Sequence, residues 1–459
     1  MILLLIFASI NILAQFNEHK GLKKLKVICF GPGPKFKGGL ADYNTALAKA
    51  MSLQDDVEVE IVSWSQQYPS IIPRDFIDKS SKLDFLKDSN IKVSYLLNYN
   101  SPLSWRRTAD YIIDSRPDII IIQWSIALQG LPIGFIVDRI KKRSKIEVLF
   151  DLHFVIQKEG SFLDKPLSKF ALKKASGFIT HAYKTVEELK ELLPEFSYTV
   201  NESGDRQIDN TSQFKNPYNF KSVIKLFHPI YDLYKPDKNF DVQSFKTANG
   251  LNKYVFLFFG FIRKYKGLHF AIEAFYNLAK ERDDVSLLVC GESFWNTIDN
   301  TKWQNRLKKS LFNLAKRIFL KNKNSEENYN PLELIRKYNI EDKVKVFNSF
   351  IPNEDVHKYF QAANYVVLFY EYATPSGIES LSYNFRKPLL ATKVGHFPET
   401  IEDGKNGYLA DPEDIQSMTE IMKKAIEKPL EPGDVEAKTK EMSWSNYAKK
   451  ILLPYRNSR

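Results

Sequence analysis

Two cysteines, Cys29 and Cys290, are all that 459 residues contain, and each sits inside a short apolar run with no Cys-x-x-Cys spacing anywhere. A disulfide framework and a structural zinc site are therefore not expected, and both thiols read as buried and free in a reducing compartment. Low-complexity tracts and fixed-period repeats are also lacking, which argues against a solenoid or a disordered scaffold. Of long hydrophobic runs there is only Met1 to Ala14, broken by Ser9 and Asn11. That is short of the ~20 residues a membrane-crossing helix needs. No Lys or Arg precedes it, the first being Lys20, so the positive leader of a secretory signal is missing. For residues 1–23 a cleaved signal, an interfacial anchor, a start-site extension and a segment packed on the fold all stay open.

The formal net charge is +11, but Lys302, Arg306, Lys308, Lys309, Lys316, Arg317, Lys321 and Lys323 supply eight positive charges with no acid between them. The rest is nearly balanced. A nucleic-acid partner is not expected, whereas one patch facing an anionic surface is. Trp303, Leu307, Leu311, Leu314 and Ile318 recur there at helical spacing, so 302–324 reads as a basic amphipathic insertion. It either lies on an anionic membrane or packs its apolar stripe on the fold.

The length exceeds what one hydrophobic core usually fills, and two successive series of strand-like runs alternate with helix-like segments. Lys26 to Phe30, Val57 to Trp64, Asp118 to Gln123, Lys145 to Leu152 and Gly177 to Thr180 form the first series. Tyr254 to Phe259, Val285 to Gly291, Val344 to Phe347, Tyr365 to Phe369, Pro388 to Thr392 and Gly407 to Ala410 form the second. Between them, Asn201 to Asn219 is polar and without period, hence a loop or insertion. The expected fold class is α/β: two doubly wound, Rossmann-like domains facing across a cleft, 24–225 and 226–435, with a terminal helix in 436–459. Ligands in such sheets bind outside the carboxyl ends of the strands, so the loops there are the candidate site.

Four loops qualify. The first strand runs into Gly31-Pro32-Gly33-Pro34-Lys35-Phe36-Lys37-Gly38-Gly39, which lacks the third glycine of a dinucleotide fingerprint. Gly38 and Gly39 lie at a helix start, where free amides face an anion. The second domain opens with Gly260-Phe261-Ile262-Arg263-Lys264-Tyr265-Lys266-Gly267, a basic loop whose Arg263 and Lys266 can stabilise a departing pyrophosphate. Thr374-Pro375-Ser376-Gly377 precedes another helix and offers amides to phosphate, or simply caps it. Just inside that helix, Glu379 can accept hydrogen bonds from ribose hydroxyls, or merely favour the helix dipole. His153, at a strand's carboxyl end, can orient a sugar hydroxyl or serve structure alone.

Together these residues resemble the GT-B glycosyltransferases of family 4, the retaining, group 1 type. The Gly38-Gly39 loop, the strand Ile119 to Gln123 with Trp124, and the strand before His153 are similar to that family's N-terminal domain. His228-Pro229 resembles its approach to the second domain, and Phe258 to Gly267 its donor segment. The stretch from Lys387-Pro388 through Val394-Gly395, Pro398-Glu399 and Gly404 to Gly407 is similar to its tail pattern. Ser443-Trp444 and the segment to Tyr455 resemble the helix that crosses back to the first domain. Two departures stand out. Phe261 occupies the place of the family's arginine, with Arg263 two residues on, while Lys266 is in register. Counting back from Pro388 puts the family's two glutamates at Ala373 and Leu381, so the matching interval between Glu371 and Glu379 is out of register. Thr374 to Gly377 instead resembles a Thr-Gln-Ser-Gly variant.

The resemblance implies a nucleotide-sugar donor, retention at the anomeric carbon, and a saccharide or lipid-linked acceptor in polysaccharide, lipopolysaccharide or glycolipid assembly. It also implies a cytoplasmic enzyme, while the basic segment Lys302–Lys323 offers peripheral attachment to the inner face of the membrane. No Asp-x-Asp occurs, so no metal and no cofactor beyond the donor are expected. A silent nucleotide-sugar-binding protein and a membrane-bound interaction module are the alternative readings.

Overall fold

The computed structural model describes residues 24–70, 76–79, 81–155, 162–202, 219–293, 329–373 and 377–456. The leader, the basic insertion, and Thr374 and Ser376 lie outside the described residues.

Eight parallel strands build the first sheet: β1 (Leu25–Phe30), β2 (Val57–Gln66), β3 (Lys92–Asn98), β4 (Ile119–Trp124), β5 (Glu147–Leu152), β6 (Gly177–Thr180), β7 (Ser197–Asn201) and β8 (Phe220–Lys225), in the order β3-β2-β1-β4-β5-β6-β8-β7. Six more form the second: β9 (Tyr254–Phe259), β10 (Val285–Cys290), β11 (Val344–Phe347), β12 (Tyr365–Leu368), β13 (Leu389–Thr392) and β14 (Gly407–Ala410), in the order β11-β10-β9-β12-β13-β14. In each sheet the order reverses beside the first strand, which opens a crevice at the carboxyl edge.

Helices cover both faces, which is why the central strands are apolar without interruption. The pleat then sorts neighbours to opposite sides. Val27 and Cys29 join one core with Ile119, Ile121 and Leu149, while Ile28 and Phe30 join another with Ile120, Ile122 and Phe150. In the second sheet Leu257 and Leu288 face one way and Phe256, Phe258 and Leu287 the other. Truncating any of these phenylalanines removes enough packing to cost ~3–5 kcal/mol.

Three strands absent from the sequence expectation, β3, β7 and β8, lie at or next to sheet edges and are only partly buried. Their sequences mix polar and apolar residues accordingly.

The chain passes between the domains twice. After β8 it runs through Phe227–Tyr234 into the second domain, and after helix Pro432–Glu441 it returns as helix Trp444–Arg456. Where the passages meet, the Ile230 N–H donates to the Met442 carbonyl at 2.9 Å. The returning helix packs on helix Gly39–Ser52 of the first domain. It buries Trp444, Tyr447, Ile451 and Leu452, and its Arg456 holds Asp56 through two hydrogen bonds of 2.6 and 2.8 Å.

Candidate active site

A cleft of about 330 Å³ opens between the two carboxyl edges. Its lining follows from the topology, because many of its residues come directly after strand ends: Ser125 after β4, His153 after β5, Gly260 after β9 and Gly291 after β10. Of the sequence candidates, Gly38, Gly39, His153, Gly260, Lys266 and Gly377 line this one space. Residues 200 apart in sequence thereby share a few ångströms.

Lys266 ends a short turn, Lys264–Lys266, before Gly267 and helix Leu268–Ala279. Gly260 has φ 101°, and a Cβ there would lie 3.0 Å from Lys266 Nζ, so a side chain would crowd the ammonium group. Burial in the cleft pushes the Lys266 pKa down to about 8, and the Arg263 charge adds to the effect. Lys266 is half-buried and no carboxylate neutralises it in the described contacts, so an anion is the complement its charge suits. Gly267 sets the turn: its φ of 63° is left-handed, and a Cβ would collide with the Phe369 carbonyl oxygen at 1.8 Å.

Arg263 is not among the residues lining the cleft. Its guanidinium lies 5.1 Å from the centroid of the Tyr265 ring, and that ring faces the cleft. The arginine thus acts here on the lysine's charge and on a lining tyrosine.

His153 is buried, and its Nε2–H donates to Gln123 Oε1 at 2.8 Å. In the neutral ring this leaves Nδ1 as an acceptor. Burial, with the neighbouring His228 charge, holds its pKa well below the usual histidine value, so the neutral form is the resident one. Such a ring can take a hydrogen bond from a hydroxyl group.

Glu379 departs from the expected ribose contact. On helix Gly377–Asn384 the residues facing the cleft are Gly377, Ile378 and Leu381. At 3.6 residues per turn, Glu379 sits about 150° around the axis from that stripe. It is fully buried, with one carboxylate oxygen 2.5 Å from His396 Nε2 and the other bonded to Thr400 Oγ1. Burial alone would raise its pKa; His396 and the hydroxyl reverse the direction and hold it below the usual value. Its carboxylate is already satisfied.

Several lining residues carried no sequence signal. Tyr231, from the passage between domains, donates its hydroxyl to the Gly39 carbonyl at 2.8 Å, and its ring packs where a Cβ on Gly377 would sit, 2.8 Å from Cε2. One tyrosine thus spans both glycine loops. Tyr234 Oη bonds Asp42 Oδ2 at 2.7 Å in the first domain and lies 3.0 Å from Asn353 Oδ1 in the second. Burial pushes the Asp42 pKa up to about 7, with the Tyr234 bond opposing. His228, flagged only as part of the approach, is buried in the lining, and its Nδ1 lies 2.7 Å from Ser380 Oγ. Desolvation brings its pKa to about 4. Aromatic residues in a connecting segment have no periodicity to betray them, so only the fold finds them.

Among the described residues no group of three metal-binding side chains stands close enough to hold an ion. No described helix is long and apolar enough to cross a membrane.

The architecture has close counterparts. Anabaena HepE, solved with UDP-glucose, superposes with a TM-score of 0.61 at 16% identity, over 94% of this chain and 100% of that one. The catalytic domain of starch synthase IV from Arabidopsis thaliana, bound to ADP and acarbose, gives 0.60 at 13%, covering 95% and 99%. Sucrose-phosphate synthase from Thermosynechococcus elongatus gives 0.55 at 14%, covering 95% and 98%. These likenesses establish the two-domain GT-B architecture. No curated protein matches the sequence. The family model Glycosyl transferases group 1 matches residues 239–451, from the second domain into the returning helix, and supports a sugar-transferring enzyme.

Proposed function

We propose that the chain is a retaining, metal-independent glycosyltransferase of family 4. In this reading it moves a sugar from a nucleotide-sugar donor to a saccharide or lipid-linked acceptor in cell-surface polysaccharide or lipopolysaccharide assembly. The observation that carries the reading is Lys266, a desolvated cation in the cleft at the start of a helix, beside a glycine that leaves room for phosphate. Negative charge grows on the pyrophosphate as the glycosidic bond breaks, and a fixed ammonium stabilises that state more than the ground state. His153 orients a hydroxyl of the transferred sugar, while the amides at Gly38, Gly39 and Gly377 approach the donor. Thr374 and Ser376 extend this contact. Retention follows if the acceptor attacks from the face the nucleotide leaves, with a donor phosphate oxygen taking the acceptor proton; no second carboxylate is then needed.

The test is Lys266→Ala. Transfer from the cognate donor, read as released nucleotide, is expected to fall by a factor of about a hundred or more, in line with losing one transition-state donor. The melting temperature should hold or rise, since a desolvated charge is removed. Undiminished transfer sinks the assignment. A thermal-shift panel of UDP-, GDP- and ADP-sugars then identifies the nucleotide, because only the bound one stabilises the fold.

A further inference from the structure

Ten large apolar side chains stand exposed among the described residues, and six of them, Leu103, Leu131, Phe135, Phe162, Leu163 and Phe170, fall on or just before three successive helices of the first domain. These are Pro102–Ser115, Gly130–Arg143 and Asp164–Leu172. The helices pack side by side. Gly130 and Gly134 form the seam with the third helix: a Cβ on Gly130 would lie 2.5 Å from the Leu167 carbonyl oxygen, and one on Gly134 2.4 Å from the Phe170 ring. Leu131 and Phe135 follow these glycines by one residue, so they stand on the outward side of the seam, and Phe135 touches Trp105 of the first helix at 6.0 Å between centroids.

Each of these helices follows a strand and so begins at the sheet's carboxyl edge, the edge that borders the cleft. Leu103 and Leu131 are second residues of their helices, and Phe162 and Leu163 directly precede the third. Four of the six apolar side chains therefore stand at the cleft end of the helical layer, with Phe135 and Phe170 extending the surface along it.

Its charge is one-sided. Over 102–115, 130–143 and 162–173 the basic residues Arg106, Arg107, Arg139, Lys141, Lys142, Arg143, Lys165, Lys169 and Lys173 outnumber the acids Asp110, Asp114, Asp138 and Asp164. Arg106 leans on Asp110 at 3.7 Å and Lys165 on Glu191 at 3.0 Å. Arg107, Lys169 and Lys173 make no ion pair among the described residues. Aromatic and leucine side chains beside unneutralised cations suit a bilayer surface that offers acyl chains at one depth and phosphate charge just above.

We infer that this three-helix face docks the enzyme on an anionic membrane surface. It thereby sets the first-domain side of the cleft next to the headgroup layer. The binding is independent of the catalytic assignment above, which supplies only its purpose: a lipid-linked acceptor reaches the cleft without leaving its bilayer.

The experiment is vesicle co-sedimentation of the full chain, with phosphatidylcholine vesicles and with equal parts phosphatidylcholine and phosphatidylglycerol. Binding is expected to the mixed vesicles and to weaken at least tenfold with added salt or in the neutral ones. The double variant Leu131→Gln, Phe135→Gln and the charge reversal Arg107→Glu, Lys169→Glu should each reduce mixed-vesicle binding tenfold or more, at an unchanged melting temperature. Lys308→Glu, Lys309→Glu, in the basic insertion, should leave most of it. Binding to neither vesicle, equal binding to both, or loss only in the insertion variant overturns the proposal. So does a dimer that the Leu131, Phe135 variant dissociates while vesicle binding is unchanged. Transfer to a water-soluble acceptor is measured alongside, so failure of docking and failure of the catalytic reading give separate signals.

Discussion

Lys266 and Asp42 put two titrations into one cleft, near 8 and near 7. Below pH 7 the lysine is charged and the aspartate neutral, the state that favours a nucleoside diphosphate. As pH rises through 7 the aspartate adds a negative charge, and through 8 the free enzyme loses the positive one, so that binding must take up a proton. Affinity for UDP, or whichever diphosphate the thermal-shift panel selects, should therefore fall between pH 7 and 9. Its slope approaches tenfold per unit above 8. Calorimetry in buffers of different ionisation heat checks this: proton uptake on binding is expected at pH 8.5 and should vanish in Lys266→Arg.

Glu379 is a residue whose spacing suggested one role and whose surroundings give it another. A carboxylate with His396 and Thr400 on its two oxygens, inside the domain, is a structural tie between helix Gly377–Asn384 and the tail segment around 396–400. Glu379→Gln should cost about 3 kcal/mol, the usual price of breaking a buried pair from one side. Because the folded pKa is depressed, the stabilisation is fully present above the unfolded value of ~4.3 and is lost as pH falls through the folded one. Urea unfolding at pH 7 and pH 4 should show the variant's deficit shrinking at the lower pH. The sequence could not reveal this, since His396 is seventeen residues away and no spacing pattern ties it to Glu379.

At the scale of elements, legibility tracked burial. β9 was readable to the residue, because a parallel strand covered on both faces is a continuous apolar run. β3, Lys92–Asn98, carries Lys92, Ser94 and Asn98 on an edge and gave no such run. The Gly260–Gly267 loop was readable as a glycine-flanked basic turn, yet its geometry was not: whether Arg263 lines the cleft depends on the turn through Lys264–Lys266, which no pattern specifies. Gly267 governs that turn. Gly267→Ala must strain a left-handed backbone and displace the Phe369 carbonyl. The expected loss is at least 2–3 kcal/mol, the sum of conformational strain and overpacking. It should appear as a lower urea midpoint together with weakened nucleotide affinity, whereas Gly433→Ala, with open space around its Cβ position, should show neither.

For the whole molecule, the last helix matters beyond its length. Trp444, Tyr447, Ile451 and Leu452 are each at most 3% exposed, although they follow the second domain in sequence and pack on the first. At ~1.5–3 kcal/mol for each buried side chain, their loss rivals the total stability of a domain, about 5–15 kcal/mol. A chain ending at Met442 should therefore unfold in two transitions, the first domain melting early, where the full chain gives one. Differential scanning calorimetry reads this directly. The same helix buries Tyr447 Oη 2.7 Å from Tyr43 Oη and 3.2 Å from Asp151 Oδ2, with His181 Nε2 3.3 Å from Asp151 Oδ1. Burial pushes Asp151 up to about 7 and His181 well down, so burial disfavours the charged form of each. These partners lie hundreds of residues apart, which is why the fold class and cleft could be read from sequence but the polar knot beneath the cleft could not.

The bond between Ile230 and Met442 has a mechanical meaning. Two separate tethers spaced along the gap would resist opening from both ends, and one tether would let the halves swivel and slide. Here the two passages run together and are tied at one point, while further bonds cross the gap, from the Lys82 N–H to the Glu354 carboxylate and from the Tyr183 N–H to Glu399 Oε2. Relative movement therefore turns about the tied passages, and widening the gap has to part the bonds that cross it.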